Sequence, residues 1–162
     1  MPTYTDPTSE VMQVYASEME KHHPELVGAE VTVKVLMAHG KRDKNGDLVG
    51  SAIKVRGCLA AGAIKIVSTK DRAAGMADAV MYLDADRWDE WSSEQQAALI
   101  DYELTHLELC CESDGTVKRD DQDRPKLRMW PHDRELGWFD AVASRHGEHS
   151  FGSIAVMRAR RD

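Results

Sequence analysis

The segment from residue 78 to 109 constrains the fold more than any other part of the chain. Asp78-Ala79-Val80-Met81-Tyr82-Leu83 contains a short apolar run of strand type at Ala79 to Leu83. Asp84, Asp86 and Asp89 follow, with Trp88 and Trp91, and lead into Ser92-Ser93-Glu94-Gln95-Gln96. Either serine can cap a helix, with Gln95 or Gln96 at the matching capping-box position. The acidic residues fit a loop before a helix N-terminus, where negative charge is favoured. The helix predicted from these signals runs from about residue 93 to 109. A strand that feeds such a helix calls for a layered fold, in which the helix buries a face on a sheet.

The remaining pattern supplies the rest of that sheet. Val31, Val33 and Val35 alternate with Thr32 and Lys34, which predicts a strand. Asn45-Gly46 signals a hairpin turn, with Leu48 to Arg56 as the returning strand, and a further strand is expected at Ala63 to Ser68. Asp43 to Asp47 superficially resembles a calcium loop but lacks the required glycine and the terminal glutamate, so it reads as a turn. Residues 8 to 22 predict a capped helix with Val11, Val14, Tyr15 and Met19 at helical spacing, ended with the help of Pro24. His22 and His23 diverge around that helix and read as surface histidines. After Asp114-Gly115, residues 116 to 130 read as a small hairpin or extended excursion. Pro131 suits the first turn of a last helix, with Leu136, Phe139 and Val142 at spacing three and Gly147 as its stop. The expected fold is α+β: one domain over residues 1–150 with a small twisted sheet packed on helices, then a tail over 151–162.

Composition narrows the class of function. A net charge of −7 over 162 residues disfavours nucleic-acid binding, and Arg158, Arg160 and Arg161 read as a solvated tail. No apolar run is long enough to span a bilayer, and the first residues carry no signal-peptide pattern, so a cytoplasmic protein is expected. Cys58, Cys110 and Cys111 are odd in number and include an adjacent pair, which suits reduced thiols better than a disulfide framework.

Chemistry concentrates on the helix. Tyr102-Glu103-Leu104-Thr105-His106 is one letter short of H-E-x-x-H, in which two histidines on one helical face bind zinc and the glutamate polarises a metal-bound water. Residues four apart lie one above the other, so positions 102 and 106 can reach one ion. His106 is one candidate ligand. The best candidate from elsewhere is His132, in Trp130-Pro131-His132-Asp133, with Asp133 as its partner or as an acid in a first helical turn. His39, His146 and His149 read as surface or partly buried. The four tryptophans, 88, 91, 130 and 138, read as core residues.

The stretch from Ala97 to Gly147 resembles the putative phage metallopeptidase family, a zincin-like group distantly similar to SprT-like peptidases. The resemblance rests on Ala98 through Glu108, on Arg124-Pro125-Lys126-Leu127-Arg128, and on His132-Asp133 followed by Gly137-Trp138-Phe139 and Arg145-His146-Gly147. Upstream, His23-Pro24-Glu25-Leu26 and Val80-Met81-Tyr82-Leu83 with Trp88 also fit. It implies a zincin-like fold, Zn²⁺ held by His106 and His132, Glu103 as general base, a peptide or protein substrate and, for a phage-encoded protein, the host cytoplasm. Tyr102 departs from the family pattern, which has histidine there. A phenol with a pKa near 10 is a poor zinc ligand unless a bound cation lowers it. Two readings stand: a zinc metallopeptidase whose site is altered at Tyr102, and a non-catalytic zincin-like module that binds peptides through the former cleft. That cleft is expected between the motif helix and an edge strand at residues 78 to 83.

Overall fold

The computed structural model describes residues 1–131 and 139–150. The expectations for His132, Asp133, Leu136, Gly137, Trp138 and the tail 151–162 lie outside the described residues. The elements, in chain order, are β1 (Thr3–Thr5), α1 (Ser9–His22), α2 (Pro24–Gly28), β2 (Val33–His39), β3 (Lys54–Val55), β4 (Cys58–Leu59), β5 (Gly62–Ile66), α3 (Thr69–Ala73), β6 (Ala79–Asp84), α4 (Ser93–Thr105), β7 (Leu107–Leu109), β8 (Leu127–Met129) and α5 (Asp140–His146). The architecture is α+β, as the sequence predicts.

The main sheet has the order β1-β2-β6-β5. β2 and β6 run parallel, with Val33 opposite Ala79 and Ala38 opposite Asp84, while β1 and β5 flank them antiparallel. β6 is therefore central, which corrects the expectation that residues 78 to 83 form an edge. Its near-continuous apolar run is the reason: Ala79, Val80, Met81 and Leu83 are all buried, as suits a strand covered on both faces. The edge strands are β1 and β5, and in β5 Lys65 is exposed between the buried Ile64 and the half-buried Ile66.

The hairpin after β2 is also corrected. Gly46 turns with φ 88° and the Asp43 carboxylate accepts from the Asn45 and Asp47 amides, yet only Arg42 and Leu48 pair across this turn. Residues 54–55 instead pair with 58–59 around Arg56 and Gly57, both at positive φ. The partner that buries most of β2 is the distant β6. Pro24 does more than stop α1: it opens α2 at its first turn, where its missing N–H costs nothing.

α4 begins as predicted. The Ser92 hydroxyl accepts from the Gln95 amide at 3.2 Å, and the Gln95 side chain accepts from the Ser92 amide at 3.0 Å. It ends at Thr105, earlier than expected. The Thr105 hydroxyl donates back to the Asp101 carbonyl at 2.6 Å, and the alternating Leu107-Glu108-Leu109 leaves the helix to pair with β8. Leu99, Ile100 and Leu104 of α4 pack into one core with Val11 and Met19 of α1, Leu26, Val35, Met37, Ile64, Met81, Leu83 and Trp88. α4 is thus held between the sheet on one side and α1 and α5 on the other.

Beneath the sheet's start, Asp78 is 1% exposed, accepts from the Thr32 amide and hydroxyl and from Arg124 Nε at 3.0 Å, and forms an ion pair with Arg72 at 2.9 Å. Arg124 also donates to the carbonyls of Arg72 and Met76. This cluster ties the 116–130 excursion to β6.

Candidate metal centre and motif helix

Because α4 stops at Thr105, the motif occupies its last turn, with His106 as the C-cap. Tyr102 and His106 sit one turn apart with ring centroids 5.3 Å apart and planes at 90°. Phe139, which is 1% exposed, packs on both rings at 5.3 and 4.9 Å. His106 Nδ1–H donates to the Trp130 carbonyl at 3.0 Å, and the Trp130 amide donates back to the His106 carbonyl at 2.6 Å. A backbone acceptor at Nδ1 fixes the tautomer and puts the ring's lone pair on Nε2, an arrangement that metal-binding histidines also use. Trp130 itself is exposed rather than in the core, whereas Trp88 is buried as expected.

Glu103 is buried, with 4% of its surface exposed. Removal from water penalises its charged form and pushes its pKa up to about 8. It lies against the first residue of β5: a Cβ on Gly62 would stand 3.1 Å from Glu103 Oε1 and 3.2 Å from its Cγ. Glycine at that strand end lets the carboxyl approach the edge strand closely.

The surroundings of Tyr102 disfavour its phenolate form. Burial first, and the neighbouring Glu103 charge second, raise its pKa well above the ordinary value of 10.0. The phenol therefore keeps its proton, and a protonated phenol is a weak donor to a cation. Among the described residues, the motif face thus presents an imidazole at His106, a protonated phenol at Tyr102 and a buried carboxyl at Glu103. His132 lies outside the described residues.

A second polar cluster, which the sequence reading missed, lies beside the motif. Asp101 is fully buried on α4 and gathers basic partners from distant parts of the chain. His23 Nε2–H donates at 2.7 Å, Arg145 at 2.9 and 3.2 Å, and His146 Nε2–H at 2.8 Å. Burial raises the Asp101 pKa, but the His23 hydrogen bond and charge, the Arg145 charge and the His146 hydrogen bond outweigh it and hold it near about 2. His23 is therefore 4% exposed and structural, not a surface histidine. His146 is also largely enclosed. Glu18 and His22 of α1 complete the group, each within 3.6 Å of the other. An aspartate between Ile100 and Tyr102 on a helix packed from two sides was the signal for such a cluster.

Among the described residues, no helix is long and apolar enough to cross a membrane. Comparisons with curated proteins and with solved structures give no match. The family comparison is decisive by contrast, since residues 4–159 match the family described as putative phage metallopeptidase. The chain belongs to that putative phage metallopeptidase family.

Proposed function

We propose that this protein is a zinc-dependent peptidase-type hydrolase in which Glu103 is the general base and His106, with His132, holds the metal. The observation that carries this reading is Glu103: a buried carboxyl with its pKa raised to about 8, set against the edge strand β5. Burial holds the proton on Glu103 at neutral pH in the metal-free chain, and a cation bound beside it would favour the ionised form that accepts a proton from water. Glu103 takes a proton from the attacking water and returns it to the departing amine, so the carboxyl ends the cycle as it began. A metal, when bound, supplies Lewis-acid polarisation. Among the described residues no strand pairs with the outer edge of β5, so an extended peptide or protein substrate can lie along it through backbone hydrogen bonds. The acidic balance argues against a nucleic-acid substrate.

Tyr102 favours a second reading, a zincin-like module that binds peptides without cleaving them. Its phenol holds its proton where the family pattern has a histidine, so metal affinity at the motif is reduced. The test is zinc affinity and hydrolysis of an unfolded protein substrate by the parent chain, Tyr102→His and Glu103→Gln. Hydrolysis by the parent or by Tyr102→His that Glu103→Gln abolishes supports the enzyme. Peptide binding without hydrolysis in a zinc-loaded Tyr102→His protein supports the module.

A further inference from the structure

The Asp101 neighbourhood has a property that its ion pairs do not explain. Glu18 is 5% exposed, and its Oε2 has no hydrogen-bond partner among the described residues. A buried carboxylate oxygen left so is costly unless something else satisfies it. Two imidazole nitrogens face it, His22 Nε2 and His146 Nε2, each at 3.6 Å, which is too long for a hydrogen bond. Asp101 Oδ2 closes the group, 2.8 Å from His146 Nε2. One ligand atom from each of Glu18, His22, Asp101 and His146 lies within 4.8 Å of all the others.

We propose that Glu18, His22, Asp101 and His146 form a second metal site, distinct from the motif, for a divalent transition ion of the zinc class. The spacing suits one ion: ligands at 2.0–2.2 Å in a tetrahedron stand about 3.4 Å from each other. Both 3.6 Å separations are close to that edge, and the His146–Asp101 pair opens slightly as the ion replaces the shared proton. Two imidazoles and two carboxylates are borderline donors that suit zinc, and the two negative charges are neutralised by the ion. Glu18 and His22 stand four apart on α1 and so share a face. His23 and Arg145 hold the other side of the Asp101 carboxylate and fix its direction, as outer partners of metal ligands do. Four protein ligands leave no position for water, so the site is structural and fastens α1, α4 and α5 together. It owes nothing to the proposed peptidase chemistry and stands or falls without it.

The experiment uses the full chain, stripped with a chelator and titrated with zinc alone, reading affinity by chelator competition and Tm by calorimetry. Zinc should bind and raise Tm by about 5 °C or more at hundredfold excess over its Kd. His22→Ala and Glu18→Gln, which leave the Asp101 ion pairs in place, should each weaken that binding at least tenfold and remove most of the Tm rise. His106→Ala, which alters only the motif, should still bind one zinc with the Tm rise that His22→Ala and Glu18→Gln lose. Full zinc affinity and Tm rise in both His22→Ala and Glu18→Gln would overturn the proposal. So would zinc binding lost only in His106→Ala, or no zinc binding by the parent. Failure of both the parent and Tyr102→His to hydrolyse an unfolded protein substrate would count against the peptidase reading and leave this site intact.

Discussion

Replacing Glu103 by glutamine in metal-free protein should make the chain more stable at neutral pH. The carboxyl has a pKa of about 8 when folded, against 4.5 as its ordinary value, because burial disfavours the charged form. The folded state therefore holds a proton that the unfolded chain gives up. Glu103's contribution to stability is complete below 4.5 and is lost progressively as pH rises through about 8. At roughly 1.4 kcal/mol per pKa unit, the full window is worth on the order of 4 to 5 kcal/mol, of which about 3 kcal/mol is already lost at pH 7. Glutamine has nearly the same shape and no charge at any pH. Urea denaturation of both proteins with chelator, from pH 5 to 8, isolates the effect because every other titrating group is common to the pair. The glutamine variant should be within about 1 kcal/mol of the parent at pH 5 and about 2 to 3 kcal/mol more stable at pH 7. In Tm this is roughly 5 to 10 °C. Parallel stability curves for the two proteins, or a less stable variant at pH 7, would refute the claim that Glu103 is buried without compensation.

Two other perturbations read the frame around the site. Asp78→Ala strands Arg72 and Arg124, which both pair with that buried carboxylate, and should cost about 3 to 5 kcal/mol in urea denaturation. A loss under about 1 kcal/mol would mean that the cluster is solvated. Asp101, held near about 2 against an ordinary 3.8, contributes stability that is present above 3.8 and lost as pH falls toward 2. Asp101→Asn should therefore be less stable than the parent at pH 6 by a few kcal/mol, with the gap closing under acid, and a gap constant with pH would contradict it.

What could be read from the sequence follows the range of each signal. Ser92 and Gln95 announce the start of α4 because a capping box is completed within four residues, and the structure has it as read. Thr8 caps α1 for the same local reason. The end of α4 was not legible in the same way. It depends on Thr105 bonding back to Asp101 and on β7 finding β8 beyond an excursion whose path is set by Asp78, Arg72 and Arg124. The Asn45-Gly46 turn was real, but its flanks did not pair as strands, because β2 buries more against β6 than against its own return. His23, Asp101 and His146 meet across the whole chain, and no local pattern reports such convergence. Glu103 and His106 were legible as a pair since both lie on one helix. The state of Tyr102, a phenol driven further from ionisation, needed its packing against Phe139 and its place beside Glu103.

The central claim is that the motif helix carries peptidase machinery impaired at one position. Its most direct test is the rate at which zinc-loaded Tyr102→His cleaves an unfolded protein substrate, measured beside the same protein carrying Glu103→Gln as well. Cleavage by the first that falls at least a hundredfold in the second is the predicted result. No cleavage by Tyr102→His, with zinc demonstrably held through His106, would contradict the account and leave a binding module in its place.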